Sequence, residues 1–168
     1  MTLFSTALTS EHDLSQLDCG KPVLNDWLRT KALAADKGMT SRTYVWVVDN
    51  DPAVKGYYSI APTVVDRASD GISNSLAAGL RAVPGFLLAK FALDKSLQGQ
   101  GYGADLLHDA ITKIMGAALV SGGRLIVVDA IDTAAFSFYQ KHGFIPVANS
   151  PDRLVIKMST ALKAFGIG

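Results

Sequence analysis

Apolar and polar positions change period several times along this chain, and those changes mark out most of its elements. Thr43-Tyr44-Val45-Trp46-Val47-Val48 is rich in β-branched and aromatic residues and predicts a strand. Asp49-Asn50-Asp51-Pro52 supplies turn residues, and Val54 to Ala61 returns as the partner strand of a hairpin. Leu87 to Leu93 is apolar except for Lys90 and holds neither Gly nor Pro, which predicts a buried strand. After a polar turn, Asp94 to Gln98, the period becomes helical. Leu106, Leu107, Ala110, Ile111, Ile114, Met115, Ala118 and Leu119 form one apolar stripe, with Asp105, Asp109 and Lys113 on the opposite face. Arg124 to Ala130 reads as another buried strand. Asp132 is a good N-cap for a short helix from Thr133 to Lys141, and Gly143 sits where that helix needs a left-handed residue. Asp152 to Ser159 predicts a last strand and Ala161 to Phe165 a terminal helix.

The N-terminal part is less regular. Ser10-Glu11-His12-Asp13 has the form of a capped start to a short helix ending near Cys19-Gly20. Pro22 suits the first turn of a second helix, whose stripe is Leu24, Trp27, Leu28 and Ala35. Between Asp66 and Gly85, Asn74 to Arg81 predicts a helical turn or two, broken by Gly79 and stopped before Pro84. No repeat, low-complexity tract or linker interrupts the chain, so a single domain over residues 1–168 is expected. The order of helices, antiparallel hairpin and β-α-β-α-β predicts an α/β fold with a central mixed β-sheet flanked by helices.

Candidate chemistry lies where the Leu87–Leu93 strand gives way to the long helix. Gly99, Gly101 and Gly103 stand in that turn. The first amides of a helix lack intrahelical partners, the macrodipole favours negative charge there, and glycines leave no side chain to block a phosphate. The pattern Gln98-x-x-Gly101-x-Gly103 lacks the Gly-Lys-Ser/Thr of a P-loop. It also lacks the placement and the later acidic residue of a dinucleotide fingerprint.

Composition narrows the class. Charged residues make up 18% of the chain, below the usual ~25%, and hydrophobic residues 49%, so a partner or second subunit is expected to cover some apolar surface. Cys19 is the one cysteine, which excludes an internal disulfide and fits a reducing, cytoplasmic compartment. No signal peptide or membrane-length apolar run is visible, so no membrane association is expected. With His12, His108 and His142 scattered, no metal is expected. Net charge is +1, yet Arg29, Lys31, Lys37 and Arg42 face only Asp36 in their stretch, as Lys141, Arg153, Lys157 and Lys163 face only Asp152 in theirs.

Gln98-x-x-Gly101-x-Gly103, followed some forty residues later by Phe138-Tyr139-x-x-x-Gly143-Phe144, resembles the two signatures of the GCN5-related N-acetyltransferases (GNAT). The resemblance implies the acyl-CoA N-acyltransferase fold and acetyl-CoA as co-substrate. It implies a pyrophosphate loop made of Gln98, Gly99, Gln100, Gly101, Tyr102, Gly103 and Ala104, and pairing of the pantetheine arm with backbone near Ala92 and Leu93. Tyr139 would protonate the departing thiolate. Asp18-Cys19-Gly20, Leu24-Asn25-Asp26-Trp27-Leu28, Ser41-Arg42-Thr43-Tyr44-Val45, Gly56-Tyr57-Tyr58-Ser59-Ile60-Ala61-Pro62 and Leu88-Ala89-Lys90-Phe91-Ala92-Leu93-Asp94 look further like the acetyltransferase toxins of bacterial toxin–antitoxin pairs. That likeness implies acetylation of aminoacyl-tRNA, a block of translation, a ribbon-helix-helix antitoxin and a homodimer. Arg29, Lys37, Arg42 and Lys90 are then the residues expected to hold the tRNA. This chain has Lys90-Phe91 where such toxins often carry Arg-Leu, and it is less basic than many of them.

The residues favour an α-amine acceptor independently. A lysine amine, with a pKa near ~10.4, is protonated at neutral pH and usually needs a general base. Glu11 is the only glutamate and no acid lies between Leu87 and Leu93. An α-amino group titrates near ~7.7–8.0, and an adjacent ester lowers it further, so such a substrate needs less help. Asp94, Asp129 or a water chain remain alternatives as base. Two other functions compete: a housekeeping small-molecule or protein N-acetyltransferase, and a non-catalytic module that binds CoA or a partner.

Overall fold

The computed structural model describes residues 2–167. Among these, the strands are β1 (Leu3–Ala7), β2 (Arg42–Val48), β3 (Asp51–Asp66), β4 (Ala82–Leu93), β5 (Leu125–Asp129), β6 (Ile145–Pro146) and β7 (Arg153–Lys157). The helices are α1 (Pro22–Thr30), α2 (Ala32–Lys37), α3 (Arg67–Asp70), α4 (Tyr102–Ser121), α5 (Thr133–Lys141) and α6 (Met158–Ala164). The sheet runs β1-β2-β3-β4-β5-β7-β6. Strands β1, β2 and β3 pair antiparallel, β4 and β5 parallel, and β7 pairs antiparallel with both β5 and β6. The fold is therefore mixed α/β, as the pattern of periods implies. Two compact units divide the chain: Met1–Ala61 with Ala89–Ala110, and Pro62–Leu88 with Ile111–Gly168.

In the first unit, Pro22 occupies the first turn of α1, where its missing N–H has no partner to lose. Leu28 is fully buried, worth roughly 1.5–3 kcal/mol, among Leu8, Leu17, Val45, Val54 and Tyr57. The second helix expected here is two, because Lys31 leaves helical geometry at φ −127° between α1 and α2. The helix expected from Ser10 to Gly20 does not form. Its first residues form local turns, with the Thr9 amide donating to His12 Nδ1 and the Glu11 amide to Thr9 Oγ1. Asp13 bonds across to β3 through both backbone groups, at 2.8 Å to Pro52 O and 3.1 Å from the Val54 amide. The Arg29 guanidinium takes the carbonyls of Leu14, Ser15 and Leu17, which a helix would need for itself. β1 was not expected; its Leu-Phe-Ser-Thr-Ala sequence is an edge strand made by pairing with β2.

The second unit holds the start of β4, β5 and β7 around Val65, Val83, Leu125, Val127 and Val155. Segment 74–79 is a run of turns with one helix-type bond, from the Ala77 amide to Ser73 O at 3.0 Å, and it breaks at Gly79 as expected. Arg67 donates to Asn74 Oδ1 and Gly79 O, and Arg124 to Leu76 O and Ser75 O, so two arginines add to the few backbone bonds that hold it. β4 begins at Ala82, well before the expected Leu87. Pro84 is tolerated inside it because its carbonyl still accepts the Arg124 amide at 2.8 Å. α5 has the expected bounds, with Asp132 Oδ1 accepting the Ala135 amide at 2.8 Å and Gly143 at φ +97°. α6 starts at Met158, earlier than expected, and Leu119 at the end of the α4 stripe is 79% exposed.

The parallel β4–β5 register begins at Gly85 opposite Leu125. A Cβ on Gly85 would lie 2.7 Å from Leu125 O, a backbone atom that cannot step aside. Gly85→Ala should therefore destabilise the fold by about 1–3 kcal/mol, read as a lower urea midpoint at unchanged slope.

Candidate active site

In the first unit, β4 ends at Leu93 and a 3-10 turn, Lys95–Leu97, leads to the glycines. Asp94 is the keystone of that turn. Its carboxylate accepts the Asp18 amide (3.0 Å), the Ser96 amide (3.0 Å) and the Ser96 hydroxyl (2.6 Å). Gln98 donates its side-chain amide to Leu93 O at 2.7 Å and Cys19 O at 2.9 Å, and Gln100 donates to Ser96 O at 2.8 Å. Both glutamines thus turn their side-chain N–H groups back to brace the loop. Sequence reasoning grouped them with the ligand-facing positions, because a motif shows spacing but not direction.

Gly99 and Gly101 have φ of +75° and +87°, and a Cβ built on either meets nothing within 4 Å. The left-handed backbone explains why glycine stands there, and the absence of side chains leaves the backbone open to a ligand. Tyr102, Gly103 and Ala104 form the first turn of α4, and the Tyr102 ring meets Trp46 edge-on at 6.5 Å. Loop and helix start together suit a pyrophosphate. Ala92 and Leu93 are buried at the strand end that leads into them.

In the same unit, the expected basic residues have distinct environments. Arg29 is committed to the three carbonyls described above. Arg42 pairs with Asp36 at 3.0 Å and touches Met39 Sδ, while Asp36 Oδ1 also accepts the Thr43 amide. Lys90 lies 5.4 Å from the centroid of Trp27, a ring that stacks on Tyr57. Lys37 is exposed in the last turn of α2.

In the second unit, Tyr139 is 6% exposed on α5, with Phe138 and Phe144 rings at 5.5 and 5.6 Å. Burial pushes its phenol well above the ordinary value, so it holds its proton throughout the physiological range. Asp129 gives both oxygens to Arg153, at 2.8 and 2.9 Å. Among the described residues no group of three or more His, Cys, Asp or Glu side chains is placed to hold a metal, and no helix is long and apolar enough to cross a membrane.

Residues 41–146 match the family model described as the acetyltransferase (GNAT) domain. The chain belongs to the GNAT family. It is an N-acetyltransferase. A tRNA-acetylating toxin of Mycobacterium tuberculosis (strain ATCC 25618 / H37Rv) is 33% identical over 95% of this chain and 94% of its own. Among solved structures, AtaT complexed with acetyl-methionyl-tRNAfMet superposes with a TM-score of 0.88 at 29% identity, covering 98% of this chain and 99% of that one. A Tyr-to-Phe mutant of AtaT bound to the C-terminus of the antitoxin AtaR and acetyl-CoA gives 0.83 at 30% identity, over 97% and 98% of the two chains.

The GNAT loop should have an acid limit set by Asp94. Burial raises the Asp94 carboxyl, but hydrogen bonds from Asp18 and Ser96 and the charge of Lys55 outweigh it and hold the group below its ordinary 3.8. The folded value is depressed, so the stabilisation is present above the unfolded value and lost as pH falls through the folded one. In a Trp27→Phe background, Trp46 fluorescence, which reports the Tyr102 contact, should stay constant from pH 7 to about 4 and change below that. Asp94→Ala should show the altered signal already at pH 7.

Proposed function

We propose that this N-acetyltransferase transfers acetyl from acetyl-CoA to the α-amino group of aminoacyl-tRNA and so acts as a toxin of translation. The observation that carries this reading is the near full-length likeness to a tRNA-acetylating toxin, joined to a glycine cradle open at Gly99 and Gly101. Gly99 to Ala104 would take the pyrophosphate on backbone amides, and the backbone at Ala92 and Leu93 the pantetheine arm. Lys37, Lys90 and Arg42 would meet tRNA phosphates. Arg29 acts on this reading by holding the Leu14–Leu17 segment.

The absence of a strong base fits the acceptor. Asp94, held below its ordinary value, is a weaker base than a free aspartate, and Asp129 is engaged by Arg153. An α-amine needs neither. Tyr139, protonated at rest, would give its proton to the thiolate sulfur as the C–S bond breaks and recover one from the amine nitrogen as the amide forms; burial, which raises its pKa, also makes the phenolate a ready acceptor for that proton. A small ribbon-helix-helix antitoxin would neutralise the enzyme, which works in the cytoplasm where charged tRNA is found, as a homodimer.

The test uses the purified protein, labelled acetyl-CoA and total tRNA, charged or deacylated. Label should enter charged tRNA alone. Label in a small amine or peptide but not in charged tRNA would favour a housekeeping acetyltransferase, and no transfer at all a binding module. Raising salt from 50 to 200 mM should weaken tRNA use steeply, because phosphate contacts release counterions. Lys90→Ala and Arg42→Ala should slow transfer with little change in acetyl-CoA affinity.

Two variants address the machinery. Gly101→Val meets no protein atom, yet it forces a branched residue to positive φ and fills the cradle. Acetyl-CoA affinity by calorimetry should fall at least tenfold, about 1.4 kcal/mol. Tyr139→Phe should keep the fold and acetyl-CoA affinity while lowering single-turnover rates ~10²–10⁴-fold. In the wild type, kcat/KM should rise between pH 7 and 8 as the amine deprotonates. It should not fall again by pH 9, because the raised phenol remains protonated.

A further inference from the structure

Asp109 breaks the pattern expected of it. The helical period puts it on the solvent face of α4, but it is half-buried, and its Oδ2 accepts the Tyr58 hydroxyl at 3.0 Å. Tyr58 is 0% exposed on β3; the Tyr44 ring of β2 stacks on it at 5.5 Å, and Ser5 Oγ of β1 lies 3.4 Å from its hydroxyl. Aspartate is a poor residue for a helix interior, and taking a carboxylate out of water is costly. A wholly buried hydroxyl needs a partner, and a carboxylate oxygen supplies a stronger acceptor than a neutral group. Burial, with the Asp109 charge adding to it against the Ser5 bond, keeps the Tyr58 phenol protonated and therefore a donor.

The position of this bond gives it a use. Asp109 lies about two turns after Tyr102, where α4 begins. At the start of the helix Trp46 of β2 meets Tyr102 edge-on. Between the two, Gly56 of β3 leaves room for Leu106, whose Cδ2 is 3.7 Å from where a Cβ would stand, and for Ala92 O at 3.2 Å. Three points along one helix thus fix its first turns on the strands of the first unit. Of these three, the Tyr58–Asp109 hydrogen bond is the directional one, and it bears on rotation about the helix axis as well as height. Rotation decides where the unpaired amides of the first turn point.

We propose that Tyr58 and Asp109 are positioning residues for the acetyl donor, aiming the first turn of α4 and the Gly99–Ala104 amides at its pyrophosphate. This rests on the reading that acetyl-CoA binds there. The loss on breaking the bond is then confined to donors that carry a pyrophosphate.

The test compares acetyl-CoA with S-acetylpantetheine, which has the thioester but no pyrophosphate, using charged tRNA as acceptor. The variants are Tyr58→Phe, Asp109→Leu and Asp109→Asn, the last keeping an acceptor oxygen. The first two should raise KM for acetyl-CoA about tenfold, the loss expected for one charge-assisted bond, with kcat within about twofold. KM for S-acetylpantetheine should stay within about twofold, and Asp109→Asn, which keeps the acceptor oxygen but not the charge, should raise KM for acetyl-CoA less than Asp109→Leu does. Tyr58→Phe removes one buried atom, so it decides the matter should Asp109→Leu fail to fold. An equal rise for both donors, or no rise for acetyl-CoA, would make the pair ordinary packing and overturn the proposal. A wild type that uses both donors with the same KM would instead remove pyrophosphate recognition at the loop, and the proposal with it.

Discussion

The last carbonyl of a strand is where its ladder gives way to a turn, and Leu93 O is that group in β4. Gln98 answers it, and with the same amide nitrogen it reaches Cys19 O. That single donor closes the turn between β4 and the glycines. It fixes Leu93 against the Asp18–Gly20 segment, and it leaves Gly99 and Gly101 free of any contact that a Cβ would meet. Asp94 repeats the logic from the other side by accepting the Asp18 amide. With the turn locked by side chains, the backbone amides that follow need no side chains of their own, so a loop of glycines can be both open and ordered.

Order in that loop is local, but its aim is not. The amides at the start of α4 point where the whole helix points, and the helix is seated by Trp46, Gly56 and Tyr58, which the sheet supplies. A half-buried carboxylate is a costly way to seat a helix, and the apolar stripe of Leu106, Leu107, Ala110 and Ile111 would hold it without one. Packing alone tolerates small rotations, whereas a carboxylate–phenol bond does not. Were the donor held by backbone amides, as proposed above, angular accuracy would be worth that cost.

Much of this was legible in the sequence because the signals are local. Pro22 at a helix start, Asp132 as a cap, Gly143 at positive φ and the Gln98–Gly103 spacing all act within a few residues of themselves, and each stands where expected. Signals that depend on distant partners misled or were silent. Ser10 to Asp13 reads as a capping box, but bonds to Pro52 and Val54 and the reach of Arg29 outweigh it. β1 has no strong pattern because β2 makes it a strand. Asp109 fits a solvent face until Tyr58 stands opposite. Pro84 reads as a stop, yet it sits inside β4, where a carbonyl suffices. Arg29, grouped with the tRNA contacts by charge alone, is bound to three carbonyls.

Two arginines in this chain, Arg29 and Arg124, grip loops by main-chain oxygens and ignore the side chains those loops carry. Every residue type offers that oxygen, proline included. Such a grip therefore places almost no demand on which amino acids the loop contains, only on its path. Within segments 14–17 and 75–76 the positions that do not pack on a core, Ser15, Gln16 and Ser75, are free to drift over evolutionary time, while Leu14, Leu17 and Leu76 stay apolar because they pack on the two cores. Divergence there is no sign of lost structure, and a change at either arginine would release a loop whose own sequence was never altered.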